Sequence, residues 1–132
     1  MLISNLTPKE PLKLALKRLS EFFRVLSNSR RILIIEELRD GEKDVSSIAS
    51  SLHLHQSAIS KHLSVLRSHR LVVERKEGRS VFYRLSDPEL AAWIVDGLKF
   101  AGPNLDDTDF FLQGVEQVRS EWTSKRNEEG SK

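Results

Sequence analysis

Residues 46–87 read SSIASSLHLHQSAISKHLSVLRSHRLVVERKEGRSVFYRLSD, and the fold turns on how this stretch changes its period. Val45, Ile48, Ala49 and Leu52 fall at helical spacing and predict a short helix, with Ser46 or Ser47 available as a cap. The tight connection His53-Leu54-His55 leads into a second helix over Gln56–Ser68, with Ile59, Leu63 and Leu66 inward. Its outer face is Gln56, Ser57, Ser60, Lys61, Ser64 and Arg67. A solvated helix face ordinarily mixes Glu with Lys, but this one holds small hydroxyls, an amide and two cations, with no acid. Such a face can approach a phosphate-flanked groove without charge repulsion or bulk. From Leu71 the pattern becomes β-like. Leu71-Val72-Val73 and Val81-Phe82-Tyr83 flank Arg75-Lys76-Glu77-Gly78-Arg79-Ser80, which predicts a hairpin with a basic tip.

Upstream, Leu12, Leu16, Leu19, Phe23 and Leu26 recur at steps of four and three, one apolar stripe of an amphipathic helix over 12–26. Ser27-Asn28-Ser29 interrupts it and offers side-chain caps to a helix over Ser29–Arg39 that turns Ile32, Leu33, Ile35 and Leu38 inward. Gly41 ends that helix, and the polar link Glu42-Lys43-Asp44 follows. Downstream, Ser86 with Glu89 makes a capping-box pattern ahead of a fifth helix carrying Leu90, Trp93, Ile94, Leu98 and Ala101. A last helix is expected to present Phe111, Val115, Val118 and Trp122. The order predicts a mainly α domain with a β-hairpin: a helix-turn-helix with an appended wing. The expected organisation is a loose arm over 1–9, the domain over 10–102, a C-terminal helix over 103–125 and a frayed tail over 126–132.

A chain of 132 residues, 30% of them charged, suits one soluble domain. No apolar run approaches the roughly 20 residues of a membrane span, and the N-terminus lacks a signal-peptide core, so a cytoplasmic protein is expected. The absence of cysteine excludes disulfides, thiolate metal sites and a cysteine nucleophile. The net charge of +2 conceals an asymmetry: residues 1–86 hold 16 Lys/Arg against 9 Asp/Glu, and residues 87–132 hold 5 against 10. A basic body with an acidic C-terminal arm points to a polyanionic partner.

With these elements in place, the chain resembles the ArsR family of winged-helix repressors. The stretch FFRVLSNSRRILIIEEL and the stretch 46–87 carry the likeness, most specifically Gln56–Leu63 and Gly78–Tyr83. The resemblance implies a homodimer with the first and fifth helices at its two-fold axis. It also implies binding to a pseudo-palindromic double-stranded operator, repression by blocking transcription, and release by an effector that the sequence does not identify. Base reading would fall on Gln56, Ser57, Ser60 and Lys61, since Gln pairs bidentately with adenine and Lys reaches a guanine edge or a phosphate. Ser64, Arg67, Lys76 and Arg79 would complete the DNA contact. The dimer would draw on Leu12, Leu16, Leu19 and Phe23, on Leu90, Ile94 and Leu98, and on Phe111, Val115, Val118 and Trp122. The last helix could pack within one subunit or across two.

The chain departs from the family's metal sensors. Asp44, Ser46 and Ala49 stand at the thiolate positions, removing the soft donors that arsenite or cadmium needs. Along the fifth helix Asp87 matches a zinc ligand, but Glu89, Phe100 and Pro103 occupy the other positions, which does not make a tetrahedral zinc site. No metal or cofactor is therefore expected, and Asp87 reads as helix-capping chemistry. His53 and His55, spaced H-x-H, leave a metal-responsive alternative with a non-standard site, against tolerated turn residues or a phosphate contact. His62 is expected buried and hydrogen-bonded, and His69 at a helix end. No Gly-rich phosphate loop, nucleophile elbow or paired-acid constellation supports an enzyme. A winged helix used only for protein contact is the third reading.

Overall fold

Ile34, Ile35, Leu38, Ile48, Ile59, Leu63 and Leu66 are withdrawn from water almost completely, and they come from three successive helices that enclose one core. The computed structural model describes residues 9–100, together with 113 and 117, and the chain divides into two compact units, Met1–Pro88 and Glu89–Lys132. The first unit runs α1 (Glu10–Leu26), α2 (Ser29–Glu37), β1 (Lys43–Asp44), α3 (Val45–Leu52), α4 (Gln56–Ser68), β2 (Val72–Glu77) and β3 (Ser80–Leu85). The described part of the second is α5 (Glu89–Asp96) followed by a 3-10 turn over Gly97–Phe100. Among the described residues no helix is long and apolar enough to cross a membrane.

Burying an aliphatic side chain is worth roughly 1.5–3 kcal/mol, so the choice of inward face fixes each helix's rotation. In α2 that face is Ile34, Ile35 and Leu38, whereas Ile32 and Leu33 lie outside. This corrects the expected set: four consecutive apolar residues leave the face ambiguous, and the three- and four-residue spacing from Ile34 and Ile35 to Leu38 matches the packing against α3 and α4. The start of α2 follows the sequence closely. Asn28 is extended, and its Oδ1 accepts from the backbone N–H groups of Arg30 (3.0 Å) and Arg31 (3.2 Å). The cap of α3 is not Ser46 or Ser47. The helix starts at Val45 behind Asp44, without a side-chain cap bond.

The polar link also conceals a strand. Lys43 and Asp44 pair antiparallel with Tyr83 and Phe82, giving a three-stranded sheet in the order β1-β3-β2. Glu37, buried at the end of α2, fixes this addition: it accepts from Lys43 Nζ (3.0 Å) and from Ser51 Oγ of α3 (2.8 Å). The hairpin closes through Gly78-Arg79 with Glu77 opposite Ser80, and Gly78 has φ +60°, a value that suits a two-residue hairpin loop.

Two non-glycine residues in the left-handed region bracket α4. His53, φ 54°, follows α3, and Leu54 N–H donates back to Ala49 O (3.0 Å). Arg70, φ 62°, follows α4, and Leu71 N–H donates back to Leu66 O (2.9 Å). Both exits have the six-to-one bond of a Schellman turn, a position usually given to Gly. In the second unit α5 begins at Glu89, so Ser86 precedes its first residue by three positions and the expected capping box is not the start of the helix.

The Asn28 cap is open to direct measurement. Asn28→Ala should lower stability by about 1 kcal/mol, seen as a reduced urea midpoint at unchanged m-value. An unaltered midpoint would show that the two bonds contribute nothing net.

Candidate nucleic-acid interface

The burial of Ile59, Leu63 and Leu66 turns Gln56, Ser57, Ser60, Lys61, Ser64 and Arg67 to the outside, where all six are exposed. Four of these six, Ser57, Ser60, Lys61 and Ser64, line one shallow, open depression together with His55 and Ala58. Lys61 makes no ion pair with any described residue. Gln56 is less free, because its Nε2 donates to Ser46 Oγ of α3 (3.2 Å). One amide hydrogen and the carbonyl oxygen remain available. His55 precedes the helix without a side-chain cap bond, so no cap side chain occupies the first N–H groups of α4 at the positive end of the helix dipole.

The other predicted DNA-contact cations, Arg67 on α4 and Lys76 and Arg79 on the wing, separate into two groups. Arg67 and Lys76 converge on the carboxylate of Glu74: Arg67 forms an ion pair with it, Lys76 Nζ lies at 3.8 Å, and the Tyr83 hydroxyl donates to it at 2.9 Å. The Tyr83 bond, with Arg67 and Lys76 beside it, holds the Glu74 carboxyl below the usual carboxylate range, while burial pushes the Tyr83 phenol up. Arg79, at the hairpin tip, is exposed and makes no ion pair with a described residue. Arg75 has a structural task. It donates to Glu42 (2.6 Å) and Glu77 (2.7 Å) and lies over the Phe82 ring at 4.7 Å, tying the wing to the chain before β1.

One basic residue escaped the sequence reading. Arg30 is exposed in the first turn of α2, where a cation opposes the helix dipole. That unfavourable placement was the available signal. Its neighbour Arg31 donates from Nε to Val25 O (2.8 Å) and closes the end of α1. His62 is close enough to these arginines and to Lys61 to feel their charge. It is half-buried rather than buried, and it has no hydrogen bond with another described residue, which corrects the expectation of a satisfied core histidine. It sits at the rim of the inward face, between core and solvent. Burial pushes its pKa down, and Arg31, Arg30 and Lys61 push it further.

The remaining expected residues fall as follows. On α1, Leu12, Leu16, Leu19 and Phe23 are all exposed, since that helix buries only Val25 and Leu26. On α5 and its 3-10 extension, Leu90, Ile94 and Leu98 are half-buried, and the more exposed apolar side chains are Trp93 and Phe100. Phe111, Val115, Val118 and Trp122 lie outside the described residues, although Gln113 and Gln117 among them are helical and exposed. His53 and His55 are exposed, and among the described residues no group of three or more His, Cys, Asp or Glu is placed to hold a metal ion.

Residues 28–73 match the model of the bacterial regulatory proteins of the arsR family. The transcriptional repressor SmtB of Mycobacterium tuberculosis is 34% identical over 95 residues, 72% of this chain and 70% of that protein. The transcriptional activator HlyU of Vibrio cholerae is 45% identical over 71 residues, 54% of this chain and 66% of its own. The structure of reduced HlyU superposes with a TM-score of 0.59, covering 70% of this chain and 96% of that one at 37% identity. A homodimeric winged helix-turn-helix DNA-binding domain from Mycobacterium bovis, at 24% identity, covers 75% of this chain and 95% of that domain with a TM-score of 0.60 and shares the fold. The chain belongs to the ArsR family: it is a DNA-binding transcriptional regulator with a winged helix-turn-helix, not an enzyme.

The surroundings of His62 set a pH dependence. Its folded pKa lies below that of the unfolded chain, so between the two values the unfolded state binds more protons. Its contribution is therefore fully present above about pH 6.5 and is lost as pH falls through the folded value. Urea midpoints at pH 7.5 and 5.5 should fall less on acidification in His62→Gln than in the parent, and equal falls would refute the assignment.

Proposed function

We propose that the protein represses transcription as a homodimer that sets two copies of α4 into successive major grooves of a pseudo-palindromic operator, and that an effector releases it. The observation that carries this reading is the acid-free exposed face of α4, with Lys61 unpaired, beside a wing whose tip cation Arg79 is also unpaired. Gln56, Ser57, Ser60 and Lys61 read base edges. Gln56 exchanges or shares its bond with Ser46 to pair with adenine. Ser64, Arg67, Lys76 and Arg79, together with Arg30, hold phosphates and fix the register. A regulator of this kind works in the cytoplasm, beside the chromosome.

Dimerisation follows from the same docking. Two recognition helices must stand about 34 Å apart to read a palindrome, and a chain of this length achieves that through a two-fold interface. The α1 stripe supports this: Leu12, Leu16, Leu19 and Phe23 form a line that its own unit leaves exposed. Leu90, Ile94 and Leu98 of α5, and Phe111, Val115, Val118 and Trp122, are further candidates for a two-fold contact.

Binding to fragments selected from the source genome tests the docking. Lys61→Ala and Gln56→Ala should each weaken the selected site by about 1–3 kcal/mol, and Gln56→Ala should relax sequence preference. Arg79→Ala should weaken all duplexes alike and reduce the salt slope by about 1. Unchanged affinity in all three variants would refute the docking. For the dimer, sedimentation of Leu16→Glu and Phe23→Glu should show monomers with weakened palindrome binding, and intact dimers in both would remove α1 from the interface.

A further inference from the structure

Between α1 and the exit of α4 lies a cleft of about 360 Å³ lined by Arg18, Glu21, Phe22, Ser68, His69 and Arg70. That volume falls in the range of small-molecule sites. Arg31, Arg39, Arg67, Arg75 and Arg84 are each engaged through hydrogen bonds or ion pairs. Arg18, His69 and Arg70 are exposed and have no side-chain bond to another described residue, so two guanidiniums and an imidazole border one cleft without a protein partner. Two guanidiniums match the forked geometry of a carboxylate. Glu21 makes no ion pair with either arginine and repels a second negative charge, which favours a monoanion over a phosphate or a dicarboxylate. The half-buried Phe22 ring supplies an apolar wall. Ser68, whose hydroxyl already donates to Val65 O at 2.8 Å, can only accept from a ligand while that bond holds.

The cleft also reaches the joint between recognition helix and wing. Arg70 is the left-handed residue of that joint: its N–H donates to Arg67 O (2.9 Å), and the next residue, Leu71, accepts from Ser86 N–H (3.0 Å) and precedes β2. A ligand that draws on the Arg70 side chain acts on the residue that sets the path from α4 into the wing. We propose that this cleft binds a small organic monocarboxylate with an apolar body, and that occupancy alters DNA affinity through Arg70. The binding half stands on the cleft alone, and the consequence for DNA rests on the proposed docking of α4 and the wing.

The test uses the full ¹⁵N-labelled chain and benzoate as the ligand, with sulfate at matched ionic strength as control. Benzoate should produce saturable amide shifts at Phe22, His69 and Arg70 that sulfate does not. Arg18→Gln should lose them, and so should Arg70→Gly, which removes the guanidinium while keeping the left-handed backbone accessible. Saturating benzoate should change the affinity for a selected DNA fragment about fivefold or more, and much less in Arg70→Gly. Non-saturating shifts, an equal response to sulfate, undiminished binding by Arg70→Gly, or saturation without any change in DNA affinity would each overturn the proposal. The same DNA measured without benzoate judges the docking separately. A chain that binds no duplex fails there, and the amide titration still decides the cleft.

Discussion

The complete withdrawal of Ile59, Leu63 and Leu66 from water is the constraint on which the rest depends. A helix has only one rotation that buries these three side chains against α2, α3 and β2, and that rotation leaves Gln56, Ser57, Ser60, Lys61 and Ser64 pointing outward as a set. The chemistry of the exposed face is thus held by the apolar chemistry of the opposite one. The two left-handed residues complete the placement. His53 turns the chain sharply into α4 and Arg70 turns it out again, and both sit where Gly would carry less strain. A histidine is among the better tolerated non-glycine residues in that region, whereas an arginine has no such local excuse.

Much of this was legible in the sequence because the signals were strictly periodic. The helix over Gln56–Ser68, the hairpin around Gly78 and the Asn28 cap depend on residues within a few positions of one another, and each appears where the pattern placed it. Two of the misses, β1 and the inward face of α2, share a cause: they depend on contacts distant in sequence. β1 exists because Lys43 and Asp44 lie beside Phe82 and Tyr83, some forty residues on, and two polar residues announce no strand. The inward face of α2 was ambiguous in a run of four apolar residues until α3 and α4 were packed against it.

The interface itself divides in the same way. That α4 would show a polar, acid-free face follows from periodicity alone. Which cations on or near it are free does not, because pairing depends on where the wing folds. Glu74 and Arg67 are seven residues apart and meet only once the chain has turned at Arg70 from α4 into β2, while Arg75, in the middle of a basic run, is taken up by Glu42 from before β1.

The Glu74 carboxylate has a consequence for how strongly the protein can hold any duplex. It neutralises Arg67 and Lys76 within the protein, acting as an internal stand-in for a phosphate. Any duplex that takes up these two cations must compete with a tethered anion, whose local concentration no added salt dilutes. The electrostatic gain from generic backbone contact is smaller than a count of basic side chains implies, because part of the charge was already compensated before DNA arrived. On the docking proposed above, the same cost falls on a target and on random sequence, so preference between them must come from Gln56 and Lys61. Under that docking a single acid on β2 weakens residence on every duplex alike and leaves discrimination to the side chains that read bases.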